Sequence, residues 1–223
     1  MSALEIAGSA IAGFAVAAPQ RAVIAVFANQ DACQPHARLP GAHRPAPLLL
    51  LTGAVTALLL AGVSYRVHPW PVAAAAGWLV ICGVPLAVID AREHRLPDVL
   101  TGAAYAGVMA FLTVAAGTMS VWQSLGRAAL GGAIMAGCYF SAALVKPGHI
   151  GLGDGKAAAS AGSLMAWFSW RIVVGGTLLA LLLAAGYGLV LLAGRRATLK
   201  TAIAYGPALV AGTLLAVLLA AGR

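Results

Sequence analysis

The sequence predicts an all-α integral membrane protein, a polytopic bundle of about eight transmembrane helices with its N-terminus outside. Three observations carry this. Of 223 residues, 61% are apolar and 9% charged, against roughly 25% charged in ordinary soluble domains. Apolar runs of spanning length, about 17 to 25 residues, recur along nearly the whole chain. Finally, the net charge of +8 is not gathered into a nucleic-acid-binding patch. Its Lys and Arg are scattered singly or in pairs between apolar runs, which is a topology signal, and no nucleic-acid partner is expected.

Taken in order, the runs place helices near 3–27 (bent at Pro19), 46–64, 71–89, 99–118, 121–145, 157–169, 172–194 and 202–221. The first begins with Glu5 and no basic residue, and Pro19 follows the best cleavage point, so it reads as a retained helix rather than a signal peptide. With the N-terminus outside, the cytoplasmic loops are 28–45, 90–98, 146–156 and 195–201. They hold Arg38, Arg44, Arg92, Arg95, Lys146, Lys156, Arg195, Arg196 and Lys200. The other side has Arg66, Arg171 and Arg223, with Arg127 just inside a helix, so the positive-inside rule sets this orientation. Small-residue patches such as "GGAIMAG" and "SAGS" let helices approach closely. Cys33, Cys82 and Cys138 are too few and too dispersed for a disulfide framework. Residues 1–223 read as a single membrane-embedded domain.

Six acidic residues are present: Glu5, Asp31, Asp90, Glu93, Asp98 and Asp154. Ionisable groups at membrane helix ends are costly unless solvated or paired, which makes them functional candidates. Asp90 ends the apolar run "GWLVICGVPLAVID", and Asp98 follows a turn-forming Pro97 that opens the next helix. Asp154 lies in "GLGDGK" before a helix expected from Lys156 or Ala157. Asp90 and Asp154 thus fall at helix ends on one membrane face. Two carboxylates a few ångströms apart do not both ionise cheaply, so one acts as base while the other keeps a proton. That pair suits an aspartic protease. Gly151, Gly153 and Gly155 would let the backbone turn tightly and approach a substrate strand. Taken alone, Asp154 reads as a helix N-cap. The run fits neither a phosphate loop, since Ala157 replaces the Ser or Thr, nor the dinucleotide fingerprint.

"IDAREHRLPDVLT" (89–101), "GLGDGK" (151–156) and "YGPAL" (205–209) occur in that order on separate helix ends. In this the chain resembles the type IV prepilin peptidases, membrane aspartic proteases of the G-x-G-D class, over about residues 71–221, the peptidase-like core. The resemblance implies Asp90 and Asp154 as the catalytic pair, with Gly151, Gly153, Gly155, Lys156, Pro97, Asp98, Gly206 and Pro207 as motif or substrate-approach residues. For Asp98 a helix-capping role is expected, and for Pro207 a helix kink is the alternative.

It further implies an aspartic endopeptidase of the inner or plasma membrane, its site facing the cytoplasm. The partner would be a prepilin or pseudopilin precursor, whose short basic leader is removed; no cofactor or metal is required. Glu93 and Asp98 are candidates to attract that leader. Larger relatives also methylate the new N-terminus and carry two C-x-x-C pairs. Here residues 28–45 offer only Cys33, His36 and His43, read as a plain polar loop, so support for methylation is missing. His149 reads as a solvated loop residue. The presenilin and signal-peptide-peptidase group shares "GLGD" and "PAL", but its first aspartate follows a tyrosine, whereas Asp90 follows Ile89. A proton-coupled transporter using the same carboxylates is the alternative from another class.

Overall fold

A computed structural model describes residues 8, 11, 15–16, 19–26, 46–93, 96–145, 152–195 and 204–221. These residues are helical apart from short connections. The helices are α1 (of which residues 19–26 form a continuous stretch), α2 (Ala46–Arg66), α3 (Trp70–Glu93), α4 (Asp98–Met119), α5 (Trp122–Val145), α6 (Leu152–Phe168), α7 (Trp170–Ala193) and α8 (Gly206–Ala221). Four of them, α3, α4, α5 and α7, are long and apolar enough to cross a membrane, and the apolar stretches Leu50–Arg66 and Gly206–Ala221 are shorter. The elements match the predicted order.

Burial sorts the helices. Within its spanning window α3 is 67% buried, whereas α7 is 11% buried. Helix α7 turns Val174, Leu178, Leu182 and Leu189 outward, as expected of a helix whose solvent is lipid rather than water. At the centre stands α6, packed against α3, α4, α5, α7 and α8. Its sequence "KAAASAGSLMAWF" explains that position, because small side chains let neighbouring backbones come close. A tight seam lies between α5 and α6, where a Cβ at Gly162 would stand 2.7 Å from the Gly131 carbonyl oxygen and 2.6 Å from Met135 Cγ. Ala166 closes the same seam over Gly131.

Helix ends follow local chemistry. Pro97, with φ −64° and ψ 127°, precedes the first turn of α4, and Ser120 closes that helix in the left-handed region, with its N–H on the Ala116 carbonyl. Ser169 opens α7 as an N-cap whose hydroxyl accepts from the Ile172 N–H. The last carbonyls of α6, which have no partner within the helix, are taken by Arg127 of α5. Its Nε donates to the Ala166 oxygen at 2.6 Å, and its Nη2 to those of Trp167 at 2.5 Å and Phe168 at 3.3 Å. A cation here also complements the helix dipole, as an acid does at the other end of α6.

Pro85 lies inside α3. Lacking an N–H, it leaves the carbonyl four residues back, that of Ile81, without its helical donor. Gln20 supplies one from α1: its Nε2 donates to the Ile81 oxygen at 2.9 Å, and its Oε1 accepts from the Thr56 hydroxyl of α2 at 3.1 Å. Gln20 is 3% exposed, so a polar residue within an apolar helix is accounted for by a backbone gap in α3. This clasp binds α1 and α2 to the helix that carries Asp90.

Candidate active site

Asp90 sits in the last turn of α3, buried at 4% exposure. The Gly206 N–H donates to its Oδ2 at 2.8 Å. Gly206 is the first residue of α8, and the opening N–H groups of a helix have no internal acceptor. A carboxylate placed there satisfies one of them and meets the positive end of the helix dipole. Gly206 must be small, since a Cβ on it would stand 2.8 Å from Asp90 Oδ2 and 3.2 Å from Cγ. Pro207 follows in the first turn, where its missing N–H costs nothing. The kink considered for Pro207 is not found, because α8 starts at Gly206 and not near residue 202.

Asp154 lies in the first turn of α6, buried at 8% exposure. The residues around it pack on two other elements. A Cβ on Gly153 would stand 2.8 Å from the Leu96 Cβ, and one on Gly155 would stand 3.2 Å from the Phe140 ring of α5. Lys156 Nζ pairs with Asp98 Oδ1 at 2.7 Å. The "LPD" turn is therefore fastened to "GLGDGK" twice, by apolar contact at Leu96 and by charge at Asp98. The ion pair is exposed, 42% and 73% for its two side chains, and is worth about 1 kcal/mol or less.

A pair of tyrosines links the two halves. Tyr139 of α5 and Tyr205, the residue before α8, share a hydroxyl–hydroxyl hydrogen bond of 2.6 Å, with ring centroids 5.6 Å apart. Burial pushes the Tyr205 phenol up from its ordinary pKa; the hydrogen bond from Tyr139 opposes that shift, and the negative charge of Asp154 adds to it. Residues 205 and 206 thus reach both supports of the site: the Gly206 N–H holds Asp90, and the Tyr205 phenol is bonded to Tyr139, the chain neighbour of the Phe140 ring that covers Gly155. Asp90, Leu96–Asp98, Gly153–Lys156 and Tyr205–Pro207 all gather at one end of the bundle, away from the Arg127 clamp.

Several expectations are corrected. The segment 151–155 was expected to be a loop before a helix from Lys156 or Ala157, but Gly153, Asp154 and Gly155 are helical residues of α6. Neither glycine has the positive φ proposed for a tight turn; each is needed for space, against Leu96 or Phe140. By the same token Asp154 is not the N-cap of α6. Asp90 lies at a helix end as expected, but within the last turn of α3, which runs to Glu93 and not to residue 89. Asp98 does not cap α4: Pro97 holds that position with no side-chain cap bond, and Asp98, the first helical residue, reaches across to Lys156. Gly151, His149, Cys33, His36 and His43, and the side chain of Glu93, lie outside the described residues.

Tyr139, Gln20 and Arg127 were not picked out as site or support residues. Tyr205 had a visible signal, its place directly before Gly206 in "YGPAL". Tyr139, an aromatic residue within an apolar run, had none.

The type IV leader peptidase family model matches residues 73–191, more than half of the chain. The match takes in Asp90, Pro97, Asp98 and the whole of "GLGDGK", and ends before Gly206. No curated protein and no solved structure matches. With its membrane-type helices and this match, the chain belongs to the type IV leader peptidase family.

Proposed function

We propose that the protein is a membrane aspartic endopeptidase that removes the short basic leader from type IV prepilin-like precursors at the cytoplasmic membrane face, with Asp90 and Asp154 as its catalytic pair. The observation that carries this is the burial of two carboxylates at one end of the bundle, Asp90 in the last turn of α3 and Asp154 in the first turn of α6. The Gly206 N–H binds Asp90, and the glycines flanking Asp154 pack on Leu96 and Phe140, in a chain whose family is one of leader peptidases. One carboxylate takes a proton from water as that water attacks the scissile carbonyl, and the other donates a proton to the carbonyl oxygen. The amine then leaves with the proton taken from water, the hydroxyl formed on the carbonyl oxygen gives its proton back as the new carboxyl forms, and the two carboxyl groups again share one. Burial of both residues supports this chemistry, because fixed donors act more strongly where water is excluded.

The expected attraction of the leader by Asp98 is weakened, since that carboxylate is already matched by Lys156. Glu93 is the remaining candidate, and unchanged cleavage after Glu93→Lys removes it. Cytoplasmic placement of the site rests on the basic loops flanking it. A proton-coupled transporter would need acids along a route to both faces, whereas these two stand at one end of the bundle.

The test is co-expression with a candidate prepilin, following leader removal by gel shift for the wild type, Asp90→Asn and Asp154→Asn. Loss of processing in both variants is expected. Normal processing by either one removes the pair.

A further inference from the structure

Two phenols facing each other inside an apolar bundle need a reason. Tyr139 and Tyr205 are half-buried, and their hydroxyls find the hydrogen-bond partner that tyrosines leaving water usually need in one another, at 2.6 Å. Such a pair carries two hydroxyl protons and uses only one between them. The carboxylate whose charge acts on both phenols is Asp154. The chain neighbours of the pair point the same way. Tyr139 precedes Phe140, whose ring covers Gly155 beside Asp154, and Tyr205 precedes Gly206, whose N–H holds Asp90.

Resting on the reading of Asp90 and Asp154 as the catalytic pair, we propose that the Tyr139–Tyr205 hydroxyl pair is a positioning device for that pair. The hydrogen bond locks α5 to the N-terminus of α8 and so sets the supports of both carboxylates together. Neither tyrosine touches substrate in this scheme. A hydrogen-bonded network next to a charged group in a low dielectric is stiffer than its separate parts, and reacting groups misplaced by about 1 Å lose roughly a hundredfold in rate.

The experiment compares wild type, Tyr139→Phe, Tyr205→Phe and the double variant, purified in detergent and assayed on a prepilin-like precursor. Rates are expressed per folded molecule from thermal unfolding. Phenylalanine keeps the ring packing at 5.6 Å between centroids and removes only the hydroxyl. Each single variant is expected to lower kcat about tenfold or more, with KM changed by less than about twofold. Because either change breaks the same bond, the double variant should be within about threefold of the worse single one.

Wild-type kcat in both single variants, losses that multiply in the double, or a change confined to KM overturns the proposal. A fall in kcat that disappears on correcting for folded protein also overturns it. Should Tyr205→Phe prove unfolded, Tyr139→Phe carries the test alone. Asp90→Asn and Asp154→Asn run alongside. If they are inactive while the tyrosine variants are normal, only the positioning role falls; if they cleave, the catalytic reading falls and takes this inference with it.

Discussion

Replacing Gly206 by alanine adds one methyl group where there is no room for it. The new Cβ would stand 2.8 Å from Asp90 Oδ2, 3.2 Å from Cγ and 3.3 Å from Cβ, while carbon–oxygen contacts of even the closest attractive kind settle at about 3.3 to 3.6 Å. The carboxylate must therefore retreat by roughly 0.5 Å. The Gly206 N–H bond to it, 2.8 Å at present, then stretches past the useful limit of about 3.2 Å. A hydrogen bond to a charged acceptor is worth about 1.5 to 3 kcal/mol, which at about 1.36 kcal/mol per decade is a loss of roughly 10- to 150-fold in kcat. Stability should fall by up to a similar amount, because Asp90 is buried and loses a donor, so kcat is taken per folded molecule. The assay is the initial rate of leader removal from a purified prepilin-like precursor in detergent or proteoliposomes. Gly186→Ala on α7 serves as the matched control, since nothing stands within 4 Å of its Cβ position. Equal kcat for Gly206→Ala, Gly186→Ala and wild type would refute the role given to the Gly206–Asp90 contact.

Three further outcomes follow from the packing. Arg127→Met removes the donors to the carbonyls of Ala166, Trp167 and Phe168; it should cost about 3 kcal/mol of stability by denaturant titration and leave cleavage per folded molecule unchanged, because the clamp is at the far end of α6. Gln20→Leu leaves the Ile81 carbonyl, already deprived of its helical donor by Pro85, without Nε2, and should cost about 1 to 3 kcal/mol; a folding midpoint equal to wild type would count against the clasp. Gly162→Val forces its Cβ against the Gly131 oxygen at 2.7 Å, so the α5–α6 seam must open, at a cost of about 3 kcal/mol or more seen as a lower thermal midpoint.

What could be read from the sequence was what rarity made conspicuous. In a chain with 9% charged residues, Asp90 and Asp154 stood out because membranes tolerate few carboxylates, and the apolar runs after the first each overlap a helix of the structure. What could not be read depends on partners far away in the chain. Gln20 carries no signal in the sequence, because the carbonyl it serves, that of Ile81, lies 61 residues on. Arg127 looked like a topology signal, yet its acceptors lie 39 to 41 residues away. The start of α6 was misplaced for a related reason: Gly151 to Gly155 have poor helix propensity, and contacts with Leu96 and Phe140 override it. Tyr139 was invisible because only folding brings it to Tyr205.

The central claim is that Asp90 and Asp154 act as one unit. Its most direct measurement is single-turnover cleavage of a prepilin-like precursor by wild type, Asp90→Asn, Asp154→Asn and the double variant, with the new N-terminus identified by mass spectrometry. Groups that work together lose their effect together, so each single variant should fall to the background rate and the double variant should be no slower. A single variant that keeps cleaving at the same bond at a rate near wild type, or losses that multiply in the double, would contradict the claim.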